Sequence, residues 1–335
     1  MVELNGKKIL VTFLMHLGDL TLTTPFIHAL RKAAPDAHIT MLVDEKLKDV
    51  VLFNPYLDEV VTIDKKGRDN SILSLWACSR HLSKLDFDVL INLHPNERCS
   101  FIDAMTSVKL RTGTTHKIFK WFWDVFTPLD RSMHAADMYL DVLQQLGVQD
   151  LSNNGLEIFP GEEHFLEAEL FWQEQNITDQ DKLIGFNIGS AVPTKRWPPE
   201  RFAEVADIFA AKGYKTVFFG GPMDEEMVAE ATGYMQTRPI IATGHFAIGG
   251  LAAAMRRCCL IITNDSGPMH VAISQKVPIV AMYGPSNPKL YGPYTKDAVI
   301  VTAQPPCQGC ADGMKHSCDD LQCMSRMTVE QVVAA

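Results

Sequence analysis

Residues 259–288 read CLIITNDSGPMHVAISQKVPIVAMYGPSNP, and this stretch decides the fold. Its two short apolar runs, residues 260–262 and 278–282, are rich in β-branched side chains and predict buried parallel strands. Between them lie a polar turn, residues 264–267, and an apolar run, residues 268–275, that predicts a helix. Strand, turn, helix and strand make one βαβ unit, which implies a parallel sheet.

The polar turn of this unit lies where its first strand ends, and open α/β sheets bind ligands at that end. Asp265 or Ser266 is suited to cap the helix, and Pro268 is suited to its first turn. The N–H groups at the helix start would then hold a phosphate, with His270 one turn further on. The alternative interpretation is an ordinary capped turn without a ligand.

Length, composition and charge limit the classes of protein to which the chain can belong. Its 335 residues suggest two domains, and 47% hydrophobic with 21% charged residues is ordinary for a globular protein. A net charge of −9 argues against a nucleic acid as the main partner. The longest apolar run near the N-terminus, residues 9–15, is too short to span a membrane and lacks a signal-peptide cleavage site. We therefore expect a cytoplasmic protein without a transmembrane segment.

Predicted strands and helices alternate along the chain, with one interruption. Residues 149–181 contain turn-forming Asn-Gly and Pro-Gly pairs and an acidic helix, which break the alternation. We therefore predict an α/β protein with two Rossmann-like domains, residues 1–155 and residues 156–335. Within the first domain, the aromatic run at residues 121–126 is interpreted as a packed helix, and contact with lipid is the alternative.

Polar residues follow the predicted strands of both domains. In the first domain, Gly18 permits a tight turn after the strand predicted over residues 7–14, and Asp19 then faces the crevice. A carboxylate in that place can act as a general base toward the hydroxyl of a sugar or of another molecule. The alternative is that Asp19 only N-caps the helix predicted over residues 21–34.

In the second domain, two further clusters follow strands. Ser190 follows one strand, and Lys195 and Arg196 stand just before a helix start, which suits a pyrophosphate. Two solvated cations are the alternative. Asp224 and Glu225 follow the next strand, where a carboxylate either binds a ribose diol or caps a helix. Neither domain begins with the G-x-G-x-x-G spacing and no P-loop occurs, which disfavours a dehydrogenase or a kinase.

Four cysteines lie close together near the end of the chain, at Cys307, Cys310, Cys318 and Cys323. In a reducing compartment this spacing predicts a structural zinc or another soft metal, and His316 could substitute as a ligand. Reduced thiols or a disulfide are the alternatives. A catalytic metal is not expected, because the cysteines are distant in sequence from the strand-end clusters.

The chain resembles the bacterial heptosyltransferases of glycosyltransferase family nine in three motifs. The first is T-N-D-S-G-P-M-H-V-A at residues 263–272, followed by V-A-M-Y-G-P-S at residues 280–286. The second is T-K-R-W-P at residues 194–198. The third is L-G-D at residues 17–19, followed by T-P at residues 24–25. The motifs match in order and spacing, and the resemblance covers nearly the whole chain. The family commonly has an arginine in or just after the first strand, where this chain has V-T-F-L at residues 11–14, and this departure concerns the acceptor.

The resemblance implies a GT-B fold, in which two Rossmann-like domains face a central cleft. It implies an inverting glycosyltransferase that moves heptose from ADP-heptose to a hydroxyl of the lipopolysaccharide inner core. The first domain would bind the acceptor and the second the nucleotide sugar. Catalysis would require no cofactor, and the cysteine segment, residues 305–325, would hold a structural zinc or iron. The protein would be cytoplasmic or peripheral at the inner membrane.

The resemblance also assigns roles to residues. Asp19 matches the catalytic base and Lys195 the lysine that stabilises the donor phosphates. The donor-binding residues would be Ser190, Lys195, Asp224, Glu225, Asp265, Ser266, Gly267 and His270. Cations that could meet a phosphorylated acceptor, or simply be solvated, are Arg68, Arg98, Lys109, Arg111, Lys117 and Lys120. Two other functions stay open: a related sugar-nucleotide transferase with a protein acceptor or nonheptose donor, and a noncatalytic sugar-nucleotide-binding protein.

Overall fold

The computed structural model describes residues 2–303, 318 and 321–335. The chain divides into two compact units, Met1–Phe159 and Pro160–Ala335. The sequence predicts the division between residues 155 and 156, inside the same irregular segment. Each unit is an α/β domain with its own parallel sheet, so the predicted fold class of two Rossmann-like domains is confirmed.

Within residues 2–159, one sheet of six parallel strands organises the N-terminal unit. The strands are β1 (Lys8–Thr12), β2 (His38–Asp44), β3 (Glu59–Ile63), β4 (Phe87–Asn92), β5 (Val108–Gly113) and β6 (Val125–Phe126). Their order in space is β3-β2-β1-β4-β5-β6, which reverses direction between β1 and β4. In open sheets of this order, ligands bind outside the carboxyl ends of the strands at the reversal.

Helices cover both faces of this sheet. They are α1 (Leu17–Thr21), α2 (Thr24–Ala33), α3 (Ile72–Ser83), α4 (Glu97–Met105) and α5 (Ala135–Gln145), with 3-10 helices at Glu45–Val50 and Lys117–Phe122. Helix α2 packs against α5, whereas α4 packs against α3 and against the second 3-10 helix. The helix predicted over residues 21–34 is confirmed as α2, but it starts at Thr24, three residues later than predicted. Pro25 has no N–H to donate and is accommodated only in a first turn.

The C-terminal unit repeats this topology. Its strands are β7 (Leu183–Asn187), β8 (Lys215–Phe219), β9 (Ile240–Ile241), β10 (Cys258–Asn264), β11 (Ile279–Met282) and β12 (Ala298–Val301). Their order is β12-β11-β10-β7-β8-β9, so the reversal lies between β7 and β10. The predicted βαβ unit is confirmed, because β10 and β11 pair in parallel from Ile261 with Ile279 to Asn264 with Met282.

The helices of the C-terminal unit surround a core in which Trp197, Phe186 and Phe218 are fully buried. They are α6 (Glu162–Glu174), α7 (Pro199–Ala211), α8 (Glu225–Tyr234), α9 (Ile248–Met255), α10 (Gly267–Ser274), α11 (Pro288–Tyr291), α12 (Gln322–Ser325) and α13 (Val329–Ala334), with 3-10 helices at Pro193–Lys195 and Pro222–Asp224. None of the helices in the described ranges has both the length and the hydropathy that crossing a bilayer requires.

The packed helix predicted at residues 121–126 is wrong. The 3-10 helix Lys117–Phe122 buries none of its residues, and Trp121 is 96% exposed. Because β6 begins at Val125, the segment is too short to form an α-helix with a buried face.

Most of the predicted metal ligands cannot be placed. Cys307, Cys310 and His316 lie outside the described residues. Cys323 is buried on α12. Among the residues that are described, no three histidine, cysteine or acidic side chains are grouped as metal ligands. The zinc or iron site therefore stays a prediction.

Candidate active site

The ends of β7 and β10 are joined by the side chain of Asn187. Its amide donates to the hydroxyl oxygens of Thr263, at 3.0 Å, and Ser266, at 2.8 Å. Ser266 is the N-cap residue of α10 by position, but its side chain does not cap the helix. Pro268 lies in the first turn, as predicted. The start of α10 therefore presents N–H groups and the positive end of its dipole at the carboxyl edge of the sheet.

A second asparagine, Asn264, positions the segment that carries Lys195. Its side-chain oxygen accepts from the backbone N–H of Trp197 at 3.0 Å, and its amide donates to the carbonyl oxygen of Ile188 at 2.7 Å. The indole of Trp197 is fully buried and donates to the carbonyl oxygen of Met327 at 3.1 Å. Trp197, two residues after Lys195, is thus bonded to β10 and to the C-terminal segment.

Lys195 and Asp265 form a buried ion pair at this edge. Their charged atoms, Nζ and Oδ2, are 2.7 Å apart, and the side chains are only 13% and 6% exposed. The hydroxyl of Ser286, from the loop after β11, donates to the same oxygen of Asp265. The ammonium keeps further N–H donors for an anionic ligand. Asp265 therefore contacts Lys195 directly, and the predicted contact of Asp265 with the donor stays a prediction.

The hydroxyl group of Tyr283 also lies near Asp265. Burial, and next the charge of Asp265, raise the pKa of Tyr283 well above its usual value. Tyr283 donates to the carbonyl oxygen of Tyr291 at 3.0 Å. The phenol is therefore neutral at physiological pH and lies beside Asp265 without adding charge.

Ser190 and Arg196 belong to the same loop. The hydroxyl of Ser190 donates to the carbonyl oxygen of Asp265 at 3.4 Å, and Arg196 Nε donates to the carbonyl oxygen of Ser190 at 2.9 Å. Arg196 therefore stabilises the loop, and neither it nor Lys195 is a solvated cation. The structure thus brings together Ser190, Lys195, Asp265, Ser266 and Gly267.

Asp224 and Glu225, which the sequence does not distinguish, have different surroundings. Asp224 is buried, and its Oδ2 accepts from the N–H of Gly221 at 2.9 Å. A Cβ added to Gly189 would lie 2.2 Å from Asp224 Oδ1, so only glycine leaves room for this carboxylate beside Ser190. Glu225 is exposed at the start of α8. Asp224 is therefore the carboxylate that adjoins the Lys195 cluster.

His270 is the fourth residue of α10 and is buried, with 4% of its surface exposed. It lies on the helix whose start forms the cluster. A direct contact with a donor phosphate, as the resemblance implies, stays a prediction.

In the N-terminal unit, Asp19 lies just beyond the end of β1, at the reversal of strand order. It is the third residue of α1 and is half-buried, and His16 occupies the N-cap position. Asp19 is therefore not the N-cap of the following helix. The preceding loop is held by Lys65, whose ammonium donates to the carbonyl oxygens of Leu14 and Met15, at 3.0 and 2.8 Å.

Lys65 also pairs with buried Asp44 at 3.1 Å. Nearby, His94 follows the end of β4, and its Nδ1 is buried without a hydrogen-bond partner among the described residues. Burial, then the charges of Arg131 and His16, lower the pKa of His94 to about 4. The ring of His94 is therefore neutral at physiological pH.

Comparison with known proteins decides the family. Residues 75–318 match the family described as Glycosyltransferase family 9 (heptosyltransferase). The chain belongs to this family. The matched range includes all the predicted donor-binding residues, whereas Asp19 lies outside it.

Relatives of this family 9 glycosyltransferase share its whole fold. The crystal structure of a glycosyl transferase family 9 protein from Veillonella parvula DSM 2008 is 54% identical, with a TM-score of 0.95 over 100% of this chain and 97% of that one. Lipopolysaccharide heptosyltransferase 3 of Escherichia coli K12 is 24% identical over 297 residues, 84% of each chain. The structure of E. coli ADP-heptose lps heptosyltransferase II is 21% identical, with a TM-score of 0.78 over 98% of this chain and 96% of that one.

Four site residues of this glycosyltransferase were missed by sequence reasoning. They are Lys65, Asn187, Asn264 and Ser286. Asn187 and Asn264 are the last residues of β7 and β10, and a polar residue that closes an apolar strand is a signal that could have found them. Lys65 carries no such signal, because it meets Met15 across 50 residues of sequence.

Proposed function

We propose that the chain transfers heptose from ADP-heptose, with inversion, to a hydroxyl of the lipopolysaccharide inner core. The buried pair of Lys195 and Asp265 beside the start of α10 carries this proposal, because it offers a positioned cation and helix N–H groups to a diphosphate. The relatives, among them a lipopolysaccharide heptosyltransferase and an ADP-heptose heptosyltransferase, support the choice of sugar and acceptor.

On the donor side, each group has a distinct role. Lys195 and the N–H groups at Gly267 stabilise the negative charge that grows on the departing ADP. Asp265 and Ser286 hold the ammonium in place. Asp224 accepts hydrogen bonds from the ribose hydroxyls, because a buried carboxylate after the neighbouring strand suits a diol.

On the acceptor side, Asp19 is the general base. The acceptor oxygen attacks the anomeric carbon on the face opposite ADP, and its proton passes to Asp19. A bond forms between the acceptor oxygen and the anomeric carbon, and the bond from that carbon to the diphosphate oxygen breaks. This single displacement inverts the anomeric configuration. Lys65 positions the loop before Asp19 through two carbonyl oxygens.

No metal takes part in the proposed transfer. We keep Cys307, Cys310, Cys318 and Cys323 as a proposed structural zinc or iron site. The acceptor places the reaction at the cytoplasmic face of the inner membrane, with the N-terminal domain binding the acceptor and the C-terminal domain the nucleotide sugar.

Calorimetric binding of ADP-heptose, ADP-glucose and UDP-glucose tests the donor assignment. We expect selective binding of ADP-heptose that Lys195→Ala weakens at least about tenfold, as loss of a charge-assisted contact to phosphate should. Lys182→Ala is the matched control, because Lys182 is exposed and lies before β7. Preference for another sugar nucleotide, or equal binding by both variants, would overturn the proposal.

A further inference from the structure

Six large apolar side chains of the N-terminal unit are exposed on two elements that both pack against α4. The two elements are α3, near its start, and the 3-10 helix Lys117–Phe122. These side chains, which we name the apolar surface, are Ile72, Leu73, Trp76, Ile118, Trp121 and Phe122. Leu73 is 77% exposed and Trp121 is 96% exposed. Exposed apolar side chains of this size, on elements that pack on the same helix, indicate a binding surface.

The 3-10 helix is held in place by the residues between its exposed side chains. Phe119 packs edge to face on Phe101 of α4, with ring centroids 6.2 Å apart. Trp123, just after the helix, is buried and donates its indole N–H to the carbonyl oxygen of Thr112 at 3.0 Å. Trp121 is therefore exposed although the residues on both sides of it, Phe119 and Trp123, are packed against the domain.

Lysines flank the apolar side chains of the 3-10 helix, and the acidic groups beside it are Asp124, which is exposed, and Glu97, which lies 3.7 Å from His116. Neither residues 116–122 nor residues 72–84 contain an acidic residue, although acidic residues outnumber basic ones by 40 to 31 in the whole chain. Lys117 and Lys120 are exposed, and Lys120 Nζ lies 4.4 Å from the ring centroid of Phe126. A surface of apolar side chains flanked by lysines complements anionic lipid headgroups.

Helix α6 of the C-terminal unit shows the opposite pattern. It also exposes apolar side chains, at Phe165, Leu166 and Leu170. They alternate with glutamates in the sequence EEHFLEAELFWQE, which an anionic bilayer would repel. Charge therefore distinguishes the two exposed surfaces, and α6 supplies a control of similar hydrophobicity.

We propose that the apolar surface docks the protein on an anionic lipid bilayer. Trp121 and Ile118 enter the interfacial region, and Lys117 and Lys120 meet lipid phosphates. Helix α3 follows β3 and the 3-10 helix follows β5, so both begin at the carboxyl edge of the sheet, the edge that carries Asp19. Docking itself is inferred from the surface alone, and its use in reaching a lipid-borne acceptor rests on the proposed function.

Cosedimentation of the full chain with vesicles tests this proposal. One set of vesicles contains phosphatidylglycerol and phosphatidylethanolamine, and the other contains phosphatidylcholine alone. We expect the wild type to bind the anionic set selectively. The variant Ile118→Ser/Trp121→Ser should bind at least about tenfold more weakly, because it loses two apolar side chains from the interface. Lys117→Glu/Lys120→Glu should lose at least about tenfold, because each lysine near an anionic surface contributes about 1 kcal/mol.

The control variant, Leu166→Ser/Leu170→Ser on α6, should bind vesicles as the wild type does. Equal binding to both vesicle sets, or equal losses in control and test variants, would overturn the proposal. A serine variant that dissociates an oligomer in sedimentation velocity while keeping vesicle binding would assign the surface to a second copy instead. The vesicles contain no acceptor, so failure of the proposed transfer activity would leave this test unchanged.

Discussion

The two sheets share one strand order, yet their carboxyl edges are stabilised in different ways. In the C-terminal domain, side chains bond to side chains: Asn187 joins Ser266, and Lys195 joins Asp265. In the N-terminal domain, Lys65 pairs with Asp44 and also donates to the main-chain carbonyl oxygens of Leu14 and Met15. A bond between two side chains depends on the identity of both residues, whereas the two bonds from Lys65 to the main chain depend on the lysine alone. We therefore expect the proposed donor edge to be sensitive to conservative substitutions and the proposed acceptor edge to be more tolerant, Asp19 excepted.

The largest effect is expected for a substitution of Asp19. Asp19→Asn should lower turnover by about a thousandfold, because the amide cannot accept the acceptor proton and general-base catalysis is commonly of this size. Donor affinity measured by calorimetry should not change. Glu97→Gln, at an exposed carboxylate of the same domain, is the control. Retained turnover in Asp19→Asn would remove Asp19 from the mechanism.

The donor edge is tested next by breaking its ion pair. Asp265→Asn should lower the free energy of unfolding by about 3 kcal/mol, because it leaves the ammonium of Lys195 buried and unpaired. Asp88→Asn breaks the Lys109–Asp88 pair, which has a similar length of 2.6 Å but an exposed lysine, and should lower the stability much less. Urea unfolding of both variants measures the difference. Equal losses would show that burial does not distinguish the two pairs.

The proposed acceptor edge is tested by Lys65→Met, which removes both bonds to the loop before Asp19 and the ion pair with Asp44. Turnover should fall by about tenfold, because misplacing a catalytic group by a fraction of an ångström has effects of this order or larger. The donor dissociation constant should stay the same, and Lys65→Arg should restore part of the turnover. A change in donor affinity without a change in turnover would contradict the role assigned to Lys65.

The last prediction concerns a buried acid beneath the carboxyl edge of the N-terminal sheet. Burial raises the pKa of Asp103 from 3.8 to about 8, although Thr12 donates to it at 2.9 Å. The folded state therefore binds a proton that the unfolded state releases above pH 3.8, so the stability present below that pH is lost as pH rises to about 8. Thermal melts between about pH 5 and about pH 8 should show a fall on the order of ten degrees. Asp103→Asn should flatten that fall, and an unchanged slope would contradict the raised pKa.

The sequence predicts the fold well because the determining signals are local. The apolar runs around residues 264–267 predict β10 and β11, and their alternation with helices extends to the whole chain. Trp121 shows where local pattern fails: aromatic residues usually indicate burial, but the short connection between β5 and β6 leaves this one in solvent. Propensity scales describe single residues and do not include the length of the connection between two strands.

The sequence predicts which residues form the candidate site better than it predicts what each of them does. Ser190, Lys195, Asp265 and Ser266 meet as the strand-end rule requires. The sequence alone cannot show that Asp265 acts through Lys195, because their contact joins positions 70 residues apart. The choice between Asp224 and Glu225 likewise depends on a packing contact, the space left by Gly189.

A double-mutant cycle on ADP-heptose binding tests the central claim, that Asp265 serves the donor site by positioning Lys195. Affinities of the wild type, Lys195→Met, Asp265→Asn and the double variant are measured by calorimetry, with folding verified by circular dichroism. Both single variants should bind at least about tenfold more weakly, and the double variant should bind no more weakly than Lys195→Met. If the two losses instead multiply, Asp265 contacts the donor independently of Lys195 and the account of this site is wrong.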